Sequence, residues 1–194
     1  GSGGGISDPS GYGVQEAMLS ITHSTVSGNT ISGTTNLFRG GGGISFDGRV
    51  VRINNSIISN NRTPGGNPGA GGGIFANYAP NLTFSHSTIS GNYAFGYAAI
   101  AARYSQDILI ADSTVSGNIS VANLPAIAKT GSLVIVNSTI AFNKPTGLDG
   151  SLQPVELESS IIADGLVLSG SVTVVTGANN LIPFSSGSGR LSGT

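Results

Sequence analysis

An all-β solenoid, one coiled domain of about six to seven rungs with three short strands in each, is the fold class that three observations predict. A hexapeptide recurs six times along the chain, an alternating apolar pair precedes every copy, and a block of small residues ending in isoleucine precedes five of the six pairs. Units of two to three dozen residues that cannot bury an apolar face alone form a continuous core when stacked.

In chain order the small block comes first. It reads "GGGI" at 3–6, 41–44 and 71–74, "AAI" at 98–100 and "PAI" at 125–127, and is expected to open the first strand of each rung. The apolar pairs follow: Leu19/Ile21, Val51/Ile53, Leu82/Phe84, Ile108/Ile110, Leu133/Ile135 and Val155/Leu157. Their period of two marks a strand with one buried face.

The hexapeptide closes the unit as "STVSGN" (24–29), "SIISNN" (56–61), "STISGN" (87–92), "STVSGN" (113–118), "STIAFN" (138–143) and "SIIADG" (160–165), its starts 32, 31, 26, 25 and 22 residues apart. In a stack of coils, equivalent positions lie about 4.8 Å from one another, so like sits on like. The third position is Val26, Ile58, Ile89, Val115, Ile140 and Ile162, expected to point inward beside the serine two residues earlier. The sixth is Asn29, Asn61, Asn92, Asn118 and Asn143, interrupted only at Gly165. Stacked amides hydrogen-bond along such a column and tolerate left-handed turns, which makes the asparagines a structural ladder.

Residues 62–73, "RTPGGNPGAGGG", read as a Pro/Gly loop, with 30–43 and 119–126 at the corresponding place, so insertions emerge along one side of the solenoid. The expected division is an N-terminal rung or cap at 1–18, regular rungs at 19–165, and a last rung and tail at 166–194. A helical turn from Tyr12 would cap the first rung, "PFSSGSGRLSGT" would form the tail, and "GSGGG" reads as a linker or, because "GGGI" recurs, as native sequence. With neither Met nor a signal-peptide apolar stretch at its start, the sequence is expected to be a processed chain or a fragment.

Composition narrows the function. Charged residues are 9% of the chain and the net charge is -1, leaving no basic footprint for nucleic acid and no polybasic face for an anionic membrane. No apolar run reaches the roughly 18 to 20 residues of a membrane span. The 31 glycines would suggest disorder, but 38% hydrophobic residues supply a core. Cysteine is absent, which removes disulfides, thiolate ligands and a Cys nucleophile.

With "GGGI", "LTFSHSTISGN", "SSIIADG" and "GANNLI" assembled, residues 3–182 resemble the right-handed parallel β-helix repeat proteins of bacterial surfaces, of the polymorphic outer-membrane-protein and autotransporter-passenger type. That resemblance implies a right-handed parallel β-helix, secreted or displayed at the cell surface. The resemblance identifies no ligand; the expected role is non-enzymatic, structural or adhesive, with lateral loops presented to a surface glycan or protein, or with copies stacking end to end into fibres because uncapped ends expose strand edges.

Enzymes share this architecture, so a polysaccharide lyase or glycoside hydrolase is the alternative. Hydrolysis needs two carboxylates close together. The acids are Asp8, Glu16, Asp47, Asp107, Asp112, Asp149, Glu156, Glu158 and Asp164, and only Glu156 and Glu158 share a side of one strand. The column before the hexapeptide, His23, Asn55, His86, Asp112, Asn137 and Ser159, mixes titratable types. His86 and Asp112 fall on successive rungs and are the weak catalytic candidates, an oriented imidazole to which a nearby serine would add a nucleophile. No G-x-S-x-G elbow, metal-ligand spacing or phosphate loop occurs, so no cofactor or metal is expected.

The second and fourth hexapeptide positions, from Thr25/Ser27 to Ile161/Ala163, make a flat charge-free array, a minor alternative being an ice-binding face. Asn54, Asn81, Asn118 and Asn137 begin N-x-S/T triplets, glycan acceptors only in a eukaryotic source.

Overall fold

The computed structural model describes residues 4–8, 17–31, 40–65, 71–104, 107–128, 131–149, 155–164, 166–168, 174–182, 185–187 and 190–191. Every strand pairing among the described residues is parallel, and strands inside each sheet pair with their equivalents one coil before and one coil after.

The first sheet holds Ile6–Ser7, Ile44–Asp47, Ile74–Asn77, Ile100–Arg103, Ile127–Ala128, Leu148–Asp149, Leu166–Leu168 and Ser185–Gly187. The isoleucines that end the small blocks stack on one another, Ile6 on Ile44, Ile44 on Ile74, Ile74 on Ile100 and Ile100 on Ile127. The blocks are small because coils nearly touch here: a Cβ on Gly42 would lie 2.4 Å from the Gly72 carbonyl oxygen, and one on Gly72 2.4 Å from that of Ala98.

The second sheet, Met18–Thr22, Val50–Asn54, Asn81–Ser85, Asp107–Ala111, Ser132–Val136, Val155–Glu158, Val174–Thr176 and Arg190–Leu191, carries the alternating pairs. Val51, Ile53, Leu82, Phe84, Ile108, Ile110, Leu133, Ile135, Val155 and Leu157 are all buried. The third sheet is the hexapeptide: Thr25–Ser27, Ile57–Ser59, Thr88–Ser90, Thr114–Ser116, Thr139–Ala141 and Ile161–Ile162. Its central residues Val26, Ile58, Ile89, Val115, Ile140 and Ile162 form one buried column in register. Each such side chain contributes about 1.5 to 3 kcal/mol from burial before conformational entropy is deducted.

Two features depart from the expectation. A fourth sheet of Arg62–Thr63, Tyr93–Ala94 and Ile119–Ser120 takes up parts of segments read as loops, because backbone groups in a coil gain partners wherever successive coils run alongside. The coil also runs into the segment read as a tail: Ser185–Gly187 pairs with Leu166–Leu168 and Arg190–Leu191 with Val174–Val175, so two sheets reach eight strands rather than six or seven. The cap expected from Tyr12 falls at 9–16, outside the described residues, and Met18–Thr22 beyond it is a strand.

Candidate functional surface

The asparagine column is a directional ladder. The backbone N–H and Nδ2 of Asn29 both donate to Oδ1 of Asn61, those of Asn61 to Asn92, those of Asn92 to Asn118, and those of Asn118 to Asn143, at 2.8 to 3.1 Å. Each Nδ2 from Asn61 onward also reaches back to a carbonyl of the preceding coil, Asn61 to Val26 and Asn92 to Ile58. Asn92 thus fills both acceptor and both donor positions of its amide while fully buried.

The serine that opens the hexapeptide makes a second ladder. The N–H groups of Ser24, Ser56, Ser87, Ser113 and Ser138 donate to Oγ of Ser56, Ser87, Ser113, Ser138 and Ser160, each at 3.1 Å. Every one of these hydroxyls from Ser56 to Ser160 donates in turn to the carbonyl two residues before it. Sequence reasoning placed these serines inward but not in a ladder. Asn180 then stands in the serine column, its Oδ1 accepting from Ser160 N–H at 2.9 Å.

The ladder does not stop where the hexapeptide alignment put Gly165, which lies outside the described residues. Asp164, one position earlier, turns Oδ2 into the column and accepts from the backbone and side chain of Asn143. A carboxylate suits the last position because it only has to accept.

The titratable column lies at a left-handed turn. His23, Asn55, His86, Asp112, Asn137 and Ser159 sit at the corner between the second and third sheets with φ of 48 to 50°, the left-handed region where Asn, Asp and His are enriched. Two weak candidates do come together there: His86 Nε2 is 3.7 Å from Asp112 Oδ2, with side chains 61% and 43% exposed, and Asn137 Nδ2 donates to Asp112 Oδ1 at 3.3 Å. Ser87, beside them, has its hydroxyl engaged with the Ser85 carbonyl and Ser56 N–H, so it is not positioned as a nucleophile. Glu156 and Glu158 are exposed on one side of their strand, opposite Val134 and Val136 of the preceding coil. Among the described residues no group of three or more His, Asp or Glu side chains converges on a point where a metal could sit.

The side surfaces are uneven. On the outer face of the third sheet, Ile57 and Ile161 are exposed within the threonine column, and Ala141 and Ala163 replace serine in the other. Three large residues hold left-handed turns in exposed positions: Tyr78 (φ 57°), Tyr104 (φ 52°) and Phe142 (φ 59°). The rings of Tyr78 and Tyr104 stack 4.8 Å apart at 12°, and the Arg62 guanidinium lies 4.5 Å over the Tyr93 ring on the fourth sheet. At the N-terminal end, Ile6, Ile21, Ser24, Val26 and Asn29 border an open recess of about 480 Å³. The lateral loops singled out in the sequence are described only in part, since 32–39 and 66–70 lie outside the described residues.

Stacked parallel coils with inward aliphatic columns and internal amide and hydroxyl ladders define a β-helix repeat protein. The chain belongs to the right-handed β-helix region family, whose model matches residues 10–189. No curated protein and no solved structure matched the sequence.

Proposed function

We propose that this chain is a non-enzymatic structural and adhesive β-helix module working outside the cell, of the kind displayed on bacterial surfaces: a rod that holds itself together through its ladders and offers its side to a partner. The observation that supports this reading is how the repeat uses its reactive-looking side chains. The serine hydroxyls from Ser56 to Ser160 serve the ladder, and the mixed His/Asp/Asn column occupies a left-handed corner common to six coils. The large residues that break the repeat, Tyr78, Tyr104 and Phe142, face solvent.

Self-association is a specific form of the same role. Among the described residues Ile6–Ser7, Met18–Thr22 and Thr25–Ser27 are edge strands beside the recess, and an unpaired edge is a template for further pairing. Size-exclusion with light scattering, then electron microscopy of the same sample, tests this: filaments with a rung-scale axial repeat identify a fibre subunit. A monomer that adheres to immobilised bacterial cells identifies an adhesin. Release of new reducing or unsaturated ends from a polysaccharide panel would overturn the proposal in favour of an enzyme, with Glu156 and Glu158 the first acids to replace.

A further inference from the structure

The outer face of the second sheet carries a pattern that neither the core nor the ladders use. Down its middle runs the column Arg52, Thr83, Leu109, Val134 and Glu156, each residue in register with the next. The neighbouring column, from Asn54 through Ala111 and Val136 to Glu158, repeats the order. Leu109, Val134, Ala111 and Val136 thus form an apolar square on the surface, with Leu109 37% exposed. Charge stands on both sides of this square and meets no opposite charge among the described residues. Arg52 is exposed and touches only the Met18 sulfur, Nη1 to Sδ at 3.6 Å, a weak acceptor. The carboxylates of Glu156 and Glu158 are exposed and have neither a hydrogen-bond nor an ionic partner.

We propose that this face is the interface of a closed dimer in which two copies of the chain lie antiparallel, side against side. Arg52 and Glu156 stand at equal distances from Leu109, two coils to either side, or about 9.6 Å from the spacing of paired strands. A two-fold axis lying along the Asp107–Ala111 strand sets the second coil of each copy over the sixth of the other. Arg52 then faces Glu156 at both ends of the contact, and Leu109 packs on its own equivalent at the centre. Asn54, whose Oδ1 already accepts from Asn55, is left with Nδ2 hydrogens to offer Glu158. A surface that matches itself under one rotation is what an isologous contact requires. Asp107, at the edge of the face, meets its own equivalent across the axis, a repulsion eased by the Ser132 hydroxyl that donates to it. Over its first seven strands the face measures about 34 by 17 Å, so two copies bury roughly 1,100 Å², the low end for a specific interface and the mark of a weak, reversible dimer. The inference is independent of the adhesive role, since it leaves both coil ends and the other sides uncovered.

The test is sedimentation equilibrium of the intact chain over a concentration series in low salt, beside Arg52→Glu, Glu156→Arg and the variant that combines them. The parent should pass from monomer to dimer and no further. Either single reversal sets like charges opposite each other and should weaken dimerisation at least about tenfold, whereas the double variant exchanges the two charges and should recover the parent affinity to within about threefold. Asp107→Asn removes the repulsion on the axis and should tighten the dimer. Because the chain has no cysteine, Leu109→Cys offers an independent reading: mild oxidation should give a disulfide-linked dimer, the two sulfurs lying together on the axis. A parent that stays monomeric at every concentration, single reversals that dimerise as well as the parent, or a double variant no better than the singles would each overturn the proposal. Growth beyond the dimer that the reversals leave unchanged would also overturn it, and would assign association to the coil ends.

Discussion

The Asp164 carboxylate closes the asparagine ladder by accepting both N–H groups of Asn143, from the backbone at 2.8 Å and from Nδ2 at 2.7 Å. Hydrogen bonds to a charged acceptor contribute about 1.5 to 3 kcal/mol, and their loss would leave the backbone N–H of buried Asn143 orphaned, while its Nδ2 keeps the Val115 and Ala141 carbonyls. Asp164→Ala should therefore lower unfolding free energy by about that amount, whereas Asp164→Asn, which keeps an accepting oxygen, should retain most of it. Urea melts of the two variants check this; equal stability of Asp164→Ala and the parent would rule it out.

Position along the ladder should grade the cost of losing an amide. Asn92→Ala removes the acceptor of the Asn61 N–H and of one Asn61 Nδ2 hydrogen, and takes one donor each from the Ile58 carbonyl and from the Asn118 oxygen, which keeps the Asn92 backbone N–H. With about 1 to 3 kcal/mol for each buried donor left unpaired, the loss of two acceptors should cost at least about 2 kcal/mol. Asn29, in the first coil, donates to Asn61 but accepts from no group among the described residues. Asn29→Ala should cost only about 1 kcal/mol, the net worth of ordinary hydrogen bonds. Similar losses at both positions would contradict the directional ladder.

Phe142 points to a stabilising substitution. It holds φ of 59° where the equivalent turns carry Gly28, Asn60, Gly91 and Gly117, and its side chain is 80% exposed. Phe142→Asn or Phe142→Gly should raise stability by about 1 kcal/mol by relieving that conformation. A lower melting temperature in both variants would show that the ring makes a contribution its exposure conceals.

The corner occupied by Asp112 distinguishes turn chemistry from ion pairing. Asp112→Asn removes the charge facing His86 but suits the left-handed backbone, and should leave stability within about 0.5 kcal/mol of the parent. Asp112→Val puts a β-branched residue at φ of 49° and should cost about 1 to 2 kcal/mol. Chemical denaturation in low and high salt reads both; a loss in Asp112→Asn that high salt abolishes would restore the ion pair as the reason for the residue.

Columns were legible in the sequence wherever stacking demands the same residue in every coil. Ile58, Ile89 and Ile140 repeat because one inward site lies directly on the next, and Asn61, Asn92 and Asn118 because an amide in a ladder must both give and accept. The column from His23 to Ser159 looked chemical because a sequence shows side chains but not φ; what its residues share is a left-handed backbone conformation. Asp164 escaped because the chain reaches the column one residue early, so that the spacing assigned the position to Gly165. The tyrosine pair did leave a signal. Tyr78 and Tyr104 each stand nine residues before the serine that opens their hexapeptide, at Ser87 and Ser113, a register visible once the corner itself is aligned.

The ladder joins each coil only to its immediate neighbours, which gives the rod a mechanical character. Drawn out by its termini, it would lengthen in steps, each step releasing one coil while the rest stayed closed. Coils of 32 residues near the beginning and 22 near the end would yield unequal increments, each of order 100 Å of contour from about 3.5 Å per residue. A rod with that response would yield under load one coil at a time and wind up again when the load eased.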